Sequence, residues 1–265
     1  MTKSRQFDRA AHYYDQTRLL PEEIAKVGIP AILDIIGPDA RLLEVGAGTG
    51  RLSIPLLERG VDLIGCDLSS QMLRRFHEKL PSARLARADA SSLPFPAAHF
   101  EAVLTVHVLH LIPSWRDVLR EFRRVLVPGG VHLNVTTGAE VGLPASVRIR
   151  QFWRGWMKAN GIAAGHPGAS ERTELLQELR ALGADLSEVE ALRFTESFNL
   201  REKLDRFAAR LYSETWDIPD AIFEESIKEL RAWATAEFGT LDQELTDDVR
   251  FLIDVAHFPP LNSTP

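Results

Sequence analysis

The stretch "LLEVGAGTGRL", residues 42–52, decides the fold, because a short apolar strand runs directly into a turn that is rich in glycine. Glu44 comes near the end of the strand, and Gly46, Gly48 and Gly50 follow at every second position. Glycine loses more conformational freedom on folding than any other residue, so three of them in one turn need a reason. A tight turn alone needs one glycine. The pattern therefore indicates a strand-to-helix turn whose backbone is approached by a ligand.

Strand and helix patterns alternate from about residue 40 to residue 137. The segment "FEAVLTV" is apolar almost throughout, as expected for a strand that is buried on both faces. This alternation is typical of a doubly wound, Rossmann-like α/β fold, in which helices cover both faces of a parallel sheet. The strands are predicted at residues 41–45, 61–67, 83–89, 100–106 and 131–137.

The pattern changes after the fifth predicted strand, where the helical segments become longer. Two more strands would bring the sheet to seven. The later segments are predicted as helices at 145–183 with a loop at 161–170, a strand at 187–198, helices at 199–212 and 219–239, and a strand at 248–258.

The spacing of the glycines argues against two phosphate-binding loops. The dinucleotide fingerprint G-x-G-x-x-G needs its third glycine one residue later, where Arg51 stands. A P-loop needs a Lys-Ser or Lys-Thr pair after the turn, and this sequence has no such pair there. Glu44, an acid at the strand end, suits a cationic group better than a phosphate.

Several spaced motifs resemble those of the class I S-adenosylmethionine-dependent methyltransferases. "EVGAGTG" resembles motif I of that family, and "GCDLSSQML" resembles its second-strand acid with the helix that follows. "ADASSLPFPAAHFEAVLTVHVLHLI" resembles its adenine-contacting and fourth-strand segments, and "LREFRRVLVPGG" resembles its passage into the fifth strand. "FDRAAHYYDQTR" resembles the lid opening of many small-molecule members. The resemblance covers about residues 7–137 and extends, less specifically, to ubiquinone- and menaquinone-pathway methyltransferases.

The resemblance implies a layout for the whole chain. It implies a mostly parallel seven-stranded sheet whose last strand is antiparallel, and one structural domain overall. The methyltransferase core would comprise residues 1–140 and 184–265, with an N-terminal helical lid at 1–38. A helical insertion at 141–183 would contribute to the pocket for the methyl acceptor.

The resemblance also assigns the ligand of the glycine turn as S-adenosylmethionine. The backbone of Gly46, Ala47 and Gly48 would approach its methionine part, and Glu44 would orient its α-ammonium group directly or through water. Asp67, at the end of the second strand, would accept hydrogen bonds from both ribose hydroxyls. The chemistry agrees with this role, because a carboxylate has two oxygens for the two donors of a diol.

Four residues are implied around the adenine. Leu68 and Met72 would flank the ring, Asp89 would accept from its amino group, and the Ala90 amide would donate to a ring nitrogen. Two of the four also have a plain structural interpretation. Met72 is equally a core residue, whereas for Asp89 a contact with adenine is favoured over the cap of a loop.

Four further residues are implied around the methionine part of the cofactor. Thr105 and Val106, at the end of the fourth strand, would border it. Tyr14 and Arg18 would cover it and bind its carboxylate. Tyr14 and Arg18 could equally belong to a solvated helix face.

Methyl transfer from a sulfonium is an in-line displacement, for which the protein supplies alignment and a dry pocket. A general base is needed only where the acceptor holds its proton tightly. His107 and His110 follow the fourth strand and are the candidate bases for a phenol or hydroxyl acceptor. The alternative is that each packs under the loop and bonds to the backbone.

The composition and charge of the chain limit the classes of molecule that it is expected to bind. The chain has 265 residues and a formal net charge of −6, without the basic face that a nucleic-acid-binding protein usually shows. Its one cysteine, Cys66, excludes an intrachain disulfide and suits the cytoplasm. We expect no membrane span, no metal site and a monomer or homodimer. The acceptor is expected to be a small apolar or aromatic molecule.

Two other functions remain open from the sequence. One is an NAD(P)-dependent oxidoreductase on a similar sheet, which the glycine spacing disfavours. The other is a non-catalytic protein that binds S-adenosylmethionine, because this chemistry has no mandatory catalytic residue whose absence would exclude it.

Overall fold

The computed structural model describes residues 7–17, 20–139 and 144–260. Its strands are β1 (Arg41–Val45), β2 (Asp62–Asp67), β3 (Arg84–Arg87), β4 (Phe100–Val106), β5 (Leu126–Ala139), β6 (Asp185–Asn199) and β7 (Glu244–His257). Its α-helices are α1 (Tyr14–Thr17), α2 (Ile29–Ile36), α3 (Ser53–Leu57), α4 (Ser70–Lys79), α5 (Trp115–Val125), α6 (Ala145–Ala159), α7 (Arg172–Ala181), α8 (Leu200–Ala208) and α9 (Asp220–Phe238).

The described residues form one seven-stranded sheet in the order β3-β2-β1-β4-β5-β7-β6. The pairs β1–β2, β1–β4, β2–β3 and β4–β5 are parallel. β7 is antiparallel to β5, since Phe258 just beyond β7 exchanges backbone hydrogen bonds with Gly129 and Gly130 near the start of β5. The predicted α/β fold, with a mostly parallel sheet and an antiparallel last strand, is confirmed.

The strand order places a crevice beside the glycine turn. The chain runs outward from β1 to β3 and then returns to add β4 on the other side of β1. At such a switch point the connections leave on opposite faces of the sheet, so the carboxyl ends of β1 and β4 border an open cleft.

The apolar core beside β1 and β4 lies between the sheet and α5. The buried side chains of α5 include Val118, Leu119, Phe122 and Val125, which recur at helical spacing and therefore share one face. They belong to the same apolar cluster as residues from β1 and β4, such as Val103. This packing makes the strand ends a rigid support for the cleft.

The chain divides into two compact units. Of the described residues, the first comprises 7–17, 20–137, 167–192 and 251–260, and the second comprises 138–139, 144–166 and 193–250. The helical insertion at 141–183 within one structural domain stays a prediction.

The cores explain the division. In the first unit, Leu175 and Leu179 of α7 join the apolar cluster of the sheet, although the insertion was expected to include them. The second unit has a core of its own, with Trp153, Phe207 and Leu230 fully buried. Trp153, in the middle of α6, therefore packs as core.

One predicted boundary also shifts. The fifth strand was predicted at 131–137, whereas β5 begins at Leu126. Within the part of the chain that the structure describes, no helix combines the length and apolarity needed to cross a membrane.

Candidate functional site

A cleft in the first unit opens at the carboxyl ends of β1, β2 and β4. It encloses about 710 Å³, including the part that is open to solvent. Residues of the glycine turn, Asp67, Asp89 and several apolar side chains line it.

The three glycines of the turn serve different purposes. All have positive φ, at +75° for Gly46, +56° for Gly48 and +84° for Gly50. A Cβ on Gly46 would lie 2.3 Å from Cγ2 of Val108, and one on Gly50 would lie 2.7 Å from the Phe76 ring. At Gly48 the nearest atom is 3.9 Å away, and this residue lines the cleft. Packing therefore requires two of the glycines, and the third leaves the space that a ligand would fill.

The backbone amides of the turn are used within the protein. The amides of Gly46 and Ala47 donate to the Cys66 carbonyl at 2.8 and 2.9 Å, and the Gly48 amide donates to Oδ2 of Asp67 at 2.9 Å. Ala47 is buried and does not line the cleft. Because these amides already have acceptors, they do not form an anion site, which disfavours the pyrophosphate of a dinucleotide.

Asp67 faces the cleft from the end of β2. Its Oδ1 accepts from the Ser69 amide at 2.8 Å, and its Oδ2 accepts from the Gly48 amide. Burial raises the pKa of the Asp67 carboxyl above its ordinary value, against the effect of these two donors. Each carboxylate oxygen can accept a second bond, so Asp67 can receive both hydroxyls of a diol.

The wall next to Asp67 contains the residues predicted to surround an adenine. Leu68, Met72, Asp89 and Ala90 all line the cleft. Oδ1 of Asp89 also accepts from the amide and the hydroxyl of Ser91, at 2.9 and 2.7 Å. Asp89 therefore caps its loop and lines the cleft at once, so the two interpretations of this residue are compatible.

Glu44 does not line the cleft. It is buried at the end of β1, where the Ser53 hydroxyl at the start of α3 donates to its Oε2. Burial raises the pKa of Glu44 to about 7. In this geometry Glu44 joins β1 to the helix after the glycine turn, and any contact with a ligand would need an intermediary.

The neighbouring side chains of Thr105 and Val106, at the end of β4, have different surroundings. Val106 lines the cleft, whereas Thr105 is fully buried and its hydroxyl lies 3.0 Å from Nε2 of His132 and 3.2 Å from Oδ1 of Asn134. Burial lowers the pKa of His132 to about 3, which keeps that ring neutral. Successive side chains of a strand point to opposite faces, which explains why only Val106 of these two lines the cleft.

The N-terminal segment covers the cleft with aromatic residues. Tyr14, predicted to cover the cofactor, lines it together with Phe7, and the two rings meet edge to face at 6.2 Å. Arg18, also predicted here, lies outside the described residues. Phe7 was not predicted, although it opens the segment that resembles a lid.

Two aspartates fasten this segment to the site, and neither was predicted. Oδ1 of Asp8 accepts from the Ser69 hydroxyl at 2.5 Å. Oδ1 of Asp15 accepts from the Thr49 hydroxyl in the glycine turn, also at 2.5 Å, and its Oδ2 pairs with Lys79 at 2.9 Å. Their separation by seven residues, close to two helical turns, was the available signal.

The two candidate histidines have different surroundings. His107 lines the cleft, and its Nε2 lies 3.0 Å from the Thr137 amide and 2.7 Å from the Thr137 hydroxyl. His110 does not line the cleft, and its carbonyl accepts from the Gly168 amide at 2.8 Å. The structure therefore brings only His107 to the site.

Three apolar residues that line the cleft were not predicted from the sequence. Val108, Leu111 and Ile112 follow β4 in and around a single 3₁₀ turn. Among the described side chains, no three His, Cys, Asp or Glu residues are grouped so that they could hold a metal ion.

Comparison with known proteins identifies relatives of this unit. Residues 43–133 match the family described as Methyltransferase domain. The demethylmenaquinone methyltransferase of Beutenbergia cavernae is 35% identical over 47% of this chain and 53% of its own length. The malonyl-[acyl-carrier protein] O-methyltransferase of Halorhodospira halophila is 33% identical over 51% of this chain and 48% of its own length. The chain thus spans about half the length of these curated relatives.

Solved structures extend the likeness of fold over most of the chain. A Bacillus halodurans protein superposes with a TM-score of 0.60 and 16% identity, covering 87% of this chain and 98% of its own. A Haemonchus contortus phosphoethanolamine N-methyltransferase, solved with S-adenosylhomocysteine, gives 0.55 and 17%, covering 95% of this chain and 57% of its own. Residues 43–133 therefore match a methyltransferase domain, and the likeness to these solved structures extends to the fold of most of the chain.

Proposed function

We propose that this protein transfers a methyl group from S-adenosylmethionine to a small apolar or aromatic molecule by in-line displacement. The observation that carries the proposal is the arrangement of Asp67 beside the open face of Gly48, within one cleft. A carboxylate for a diol lies next to a gap in the backbone, as a nucleoside with an amino-acid tail requires.

The cleft fits each part of the cofactor. Asp67 would hold the ribose hydroxyls, and Leu68 and Met72 would enclose the adenine, with Asp89 at its edge. The methionine part would pass over Gly48, where a Cβ would occupy the space. The turn lacks free amides at Gly46 and Ala47, which suits a ligand without phosphate.

The chemistry divides between ligand and protein. When bound, S-adenosylmethionine supplies a methyl group that its sulfonium activates. The protein aligns the reactants and excludes water from them. Phe7 and Tyr14 cover the cleft, and the apolar side chains of Leu111 and Ile112 line it. No described side chain needs to bond to the methyl group.

The acceptor is inferred from the cleft, since the relatives' names point to different acceptors. One relative is named for demethylmenaquinone and the other for malonyl-[acyl-carrier protein]. The side chains of Val108, Leu111 and Ile112, which line the cleft, favour an apolar or aromatic molecule.

Two measurements test the proposal. Calorimetry should show binding of S-adenosylmethionine and S-adenosylhomocysteine but none of NADH. Incubation with methyl-labelled cofactor and a metabolite extract should then move the label into a small apolar product, identified by mass spectrometry. Binding without transfer to any extract would leave a non-catalytic cofactor-binding protein, and binding of NADH alone would overturn the proposal.

A further inference from the structure

The two aromatic side chains that the N-terminal segment, residues 7–17, places in the wall of the cleft are each followed by an aspartate. Phe7 precedes Asp8, and Tyr14 precedes Asp15 seven residues later. Both rings line the cleft, and both carboxylates accept hydrogen bonds from hydroxyl groups elsewhere in the first unit. The repeated pair indicates that the carboxylates hold the rings in position.

Asp15 joins the segment to the glycine turn. Its Oδ1 accepts from the Thr49 hydroxyl at 2.5 Å, and Thr49 stands between Gly48 and Gly50. Thr49 is only 1% exposed, so removal of the carboxylate would leave a buried donor unsatisfied, which costs more than the net worth of an exposed hydrogen bond. The second oxygen of Asp15, Oδ2, pairs with Lys79 at the end of α4 at 2.9 Å.

Asp8 joins the same segment to the start of α4. Its Oδ1 accepts from the Ser69 hydroxyl at 2.5 Å and from the Gln71 amide at 3.3 Å. A carboxylate is favoured there, because the first amides of a helix lack acceptors within it. The Ser69 amide in turn donates to Asp67, the proposed ribose ligand. The charge of Asp8 also contributes, after burial, to the raised pKa of Asp67, so Asp15 is the cleaner position for a substitution.

We propose that Asp8 and Asp15 are positioning residues that close the N-terminal segment over the bound cofactor, and that the bond between Asp15 and Thr49 slows the release of S-adenosylhomocysteine. The inference rests on the proposed function. In this mechanism the ligand leaves after the segment has moved, and the movement breaks the bond between Asp15 and Thr49. Because the opening of such a cover limits turnover in many enzymes, the bond would bear on the rate of the reaction as well.

The first test measures the release of the ligand. Surface plasmon resonance with the immobilised full chain gives the association and dissociation rates of S-adenosylhomocysteine. Asp15→Ala and Thr49→Val should each raise the dissociation rate about tenfold, as for the loss of one hydrogen bond to a charged group, with an association rate within about twofold of the wild type. Thr49→Ser keeps the hydroxyl and should dissociate at the wild-type rate. The double variant Asp15→Ala with Thr49→Val should be no faster than either single variant, because both remove the same bond.

Two variants of α4 serve as controls. Glu78→Ala is the matched one, because Glu78 is the neighbour of Lys79 and pairs with Arg75 on the surface. It should dissociate at the wild-type rate. Lys79→Ala, which removes only a partly exposed ion pair, should change that rate by less than about twofold. If Asp15→Ala melts at a lower temperature but releases S-adenosylhomocysteine at the wild-type rate, the bond serves only the fold and the inference is wrong.

The second test reads the segment without any ligand. The amides of Ala10, Tyr13 and Gln16 donate to carbonyls within the segment, so they exchange with solvent when it opens. Mass spectrometry of hydrogen exchange should find residues 7–17 several-fold faster in Asp15→Ala than in the wild type, with α4 unchanged. Unchanged exchange over residues 7–17 would overturn the role of Asp15. A wild type that binds no S-adenosylhomocysteine would instead overturn the proposed function, and the exchange would still decide whether Asp15 fastens the segment.

Discussion

Two buried carboxyl groups at neighbouring strand ends differ in what they can do. Asp67 ends β2, and Glu44 lies one residue before the end of β1. Burial raises the pKa of both groups. Asp67 lines the cleft and accepts from two backbone amides, whereas Glu44 lies away from it and accepts from the hydroxyl of Ser53.

The difference shows how surroundings assign roles to similar residues. Two amide donors favour a charged Asp67, ready to receive further donors from a ligand. A single hydroxyl leaves Glu44 with a pKa of about 7, so a large part of the population is neutral at physiological pH. We infer that Asp67 serves binding and that Glu44 serves the architecture of the turn.

Removing the Asp67 carboxylate should have the largest effect of these substitutions, and that effect is on the affinity for S-adenosylhomocysteine. Asp67→Ala loses the acceptor for both ribose hydroxyls, each worth about 2 kcal/mol as a bond to a charged group. The affinity for S-adenosylhomocysteine should therefore fall by about 4 kcal/mol, close to a thousandfold. Isothermal titration calorimetry measures it.

Asp62→Ala is the matched control, because Asp62 begins the same strand but is exposed and pairs with Arg84. Its affinity for S-adenosylhomocysteine should equal that of the wild type. Unchanged affinity in a folded Asp67→Ala variant would contradict the proposed difference between Asp67 and Glu44, since Asp67 would then have no role in binding.

Glu44→Gln should stabilise the protein in a pH-dependent way. The pKa of Glu44 rises from 4.5 to about 7 on folding, so between these values the folded state binds more protons than the unfolded state. The free energy of unfolding of the wild type must then fall as pH rises through this window. Gln mimics the neutral acid and does not titrate.

The free energy of unfolding of Glu44→Gln should therefore equal that of the wild type below pH 4.5. Above pH 7 it should exceed the wild-type value by ~3 kcal/mol, at about 1.4 kcal/mol per pKa unit. Urea unfolding at pH 4.5, 6 and 8 measures it. Asp67→Asn serves as a comparison at each pH. A constant difference across the range would show that Glu44 is not the titrating group.

The sequence predicted the mostly parallel α/β sheet, and it predicted that Asp67 and Asp89 lie near strand ends, because both depend on local patterns. Asp67 ends β2, Asp89 lies two residues beyond β3, and both line the cleft. Thr105 is buried and Val106 lines the cleft, a difference that the alternation of side chains along a strand explains.

Other features depended on contacts between distant segments. The bond of His107 to Thr137 spans 30 residues, and that of Asp15 to Thr49 spans 34. Such pairs require the register of β4 on β5 or the path of the N-terminal segment, which periodicity does not encode. The two-unit division depended on which core receives α7, and that too is a tertiary choice.

Of these substitutions, Ser53→Ala should change the free energy of unfolding least, and the direction of the change follows from a single hydrogen bond. The Ser53 hydroxyl donates to Glu44 and favours its charged form, so its loss should raise the pKa of Glu44 further. The variant should lose about 1 kcal/mol of unfolding free energy at pH 8, where the carboxylate needs the donor, and less at pH 5. In the Glu44→Gln background the pH dependence should vanish, because no ionised partner remains. Affinity for S-adenosylhomocysteine should be the same in all these variants, since the pair lies away from the cleft. A loss of affinity comparable to that of Asp67→Ala would mean that the two carboxyl groups act on the ligand together.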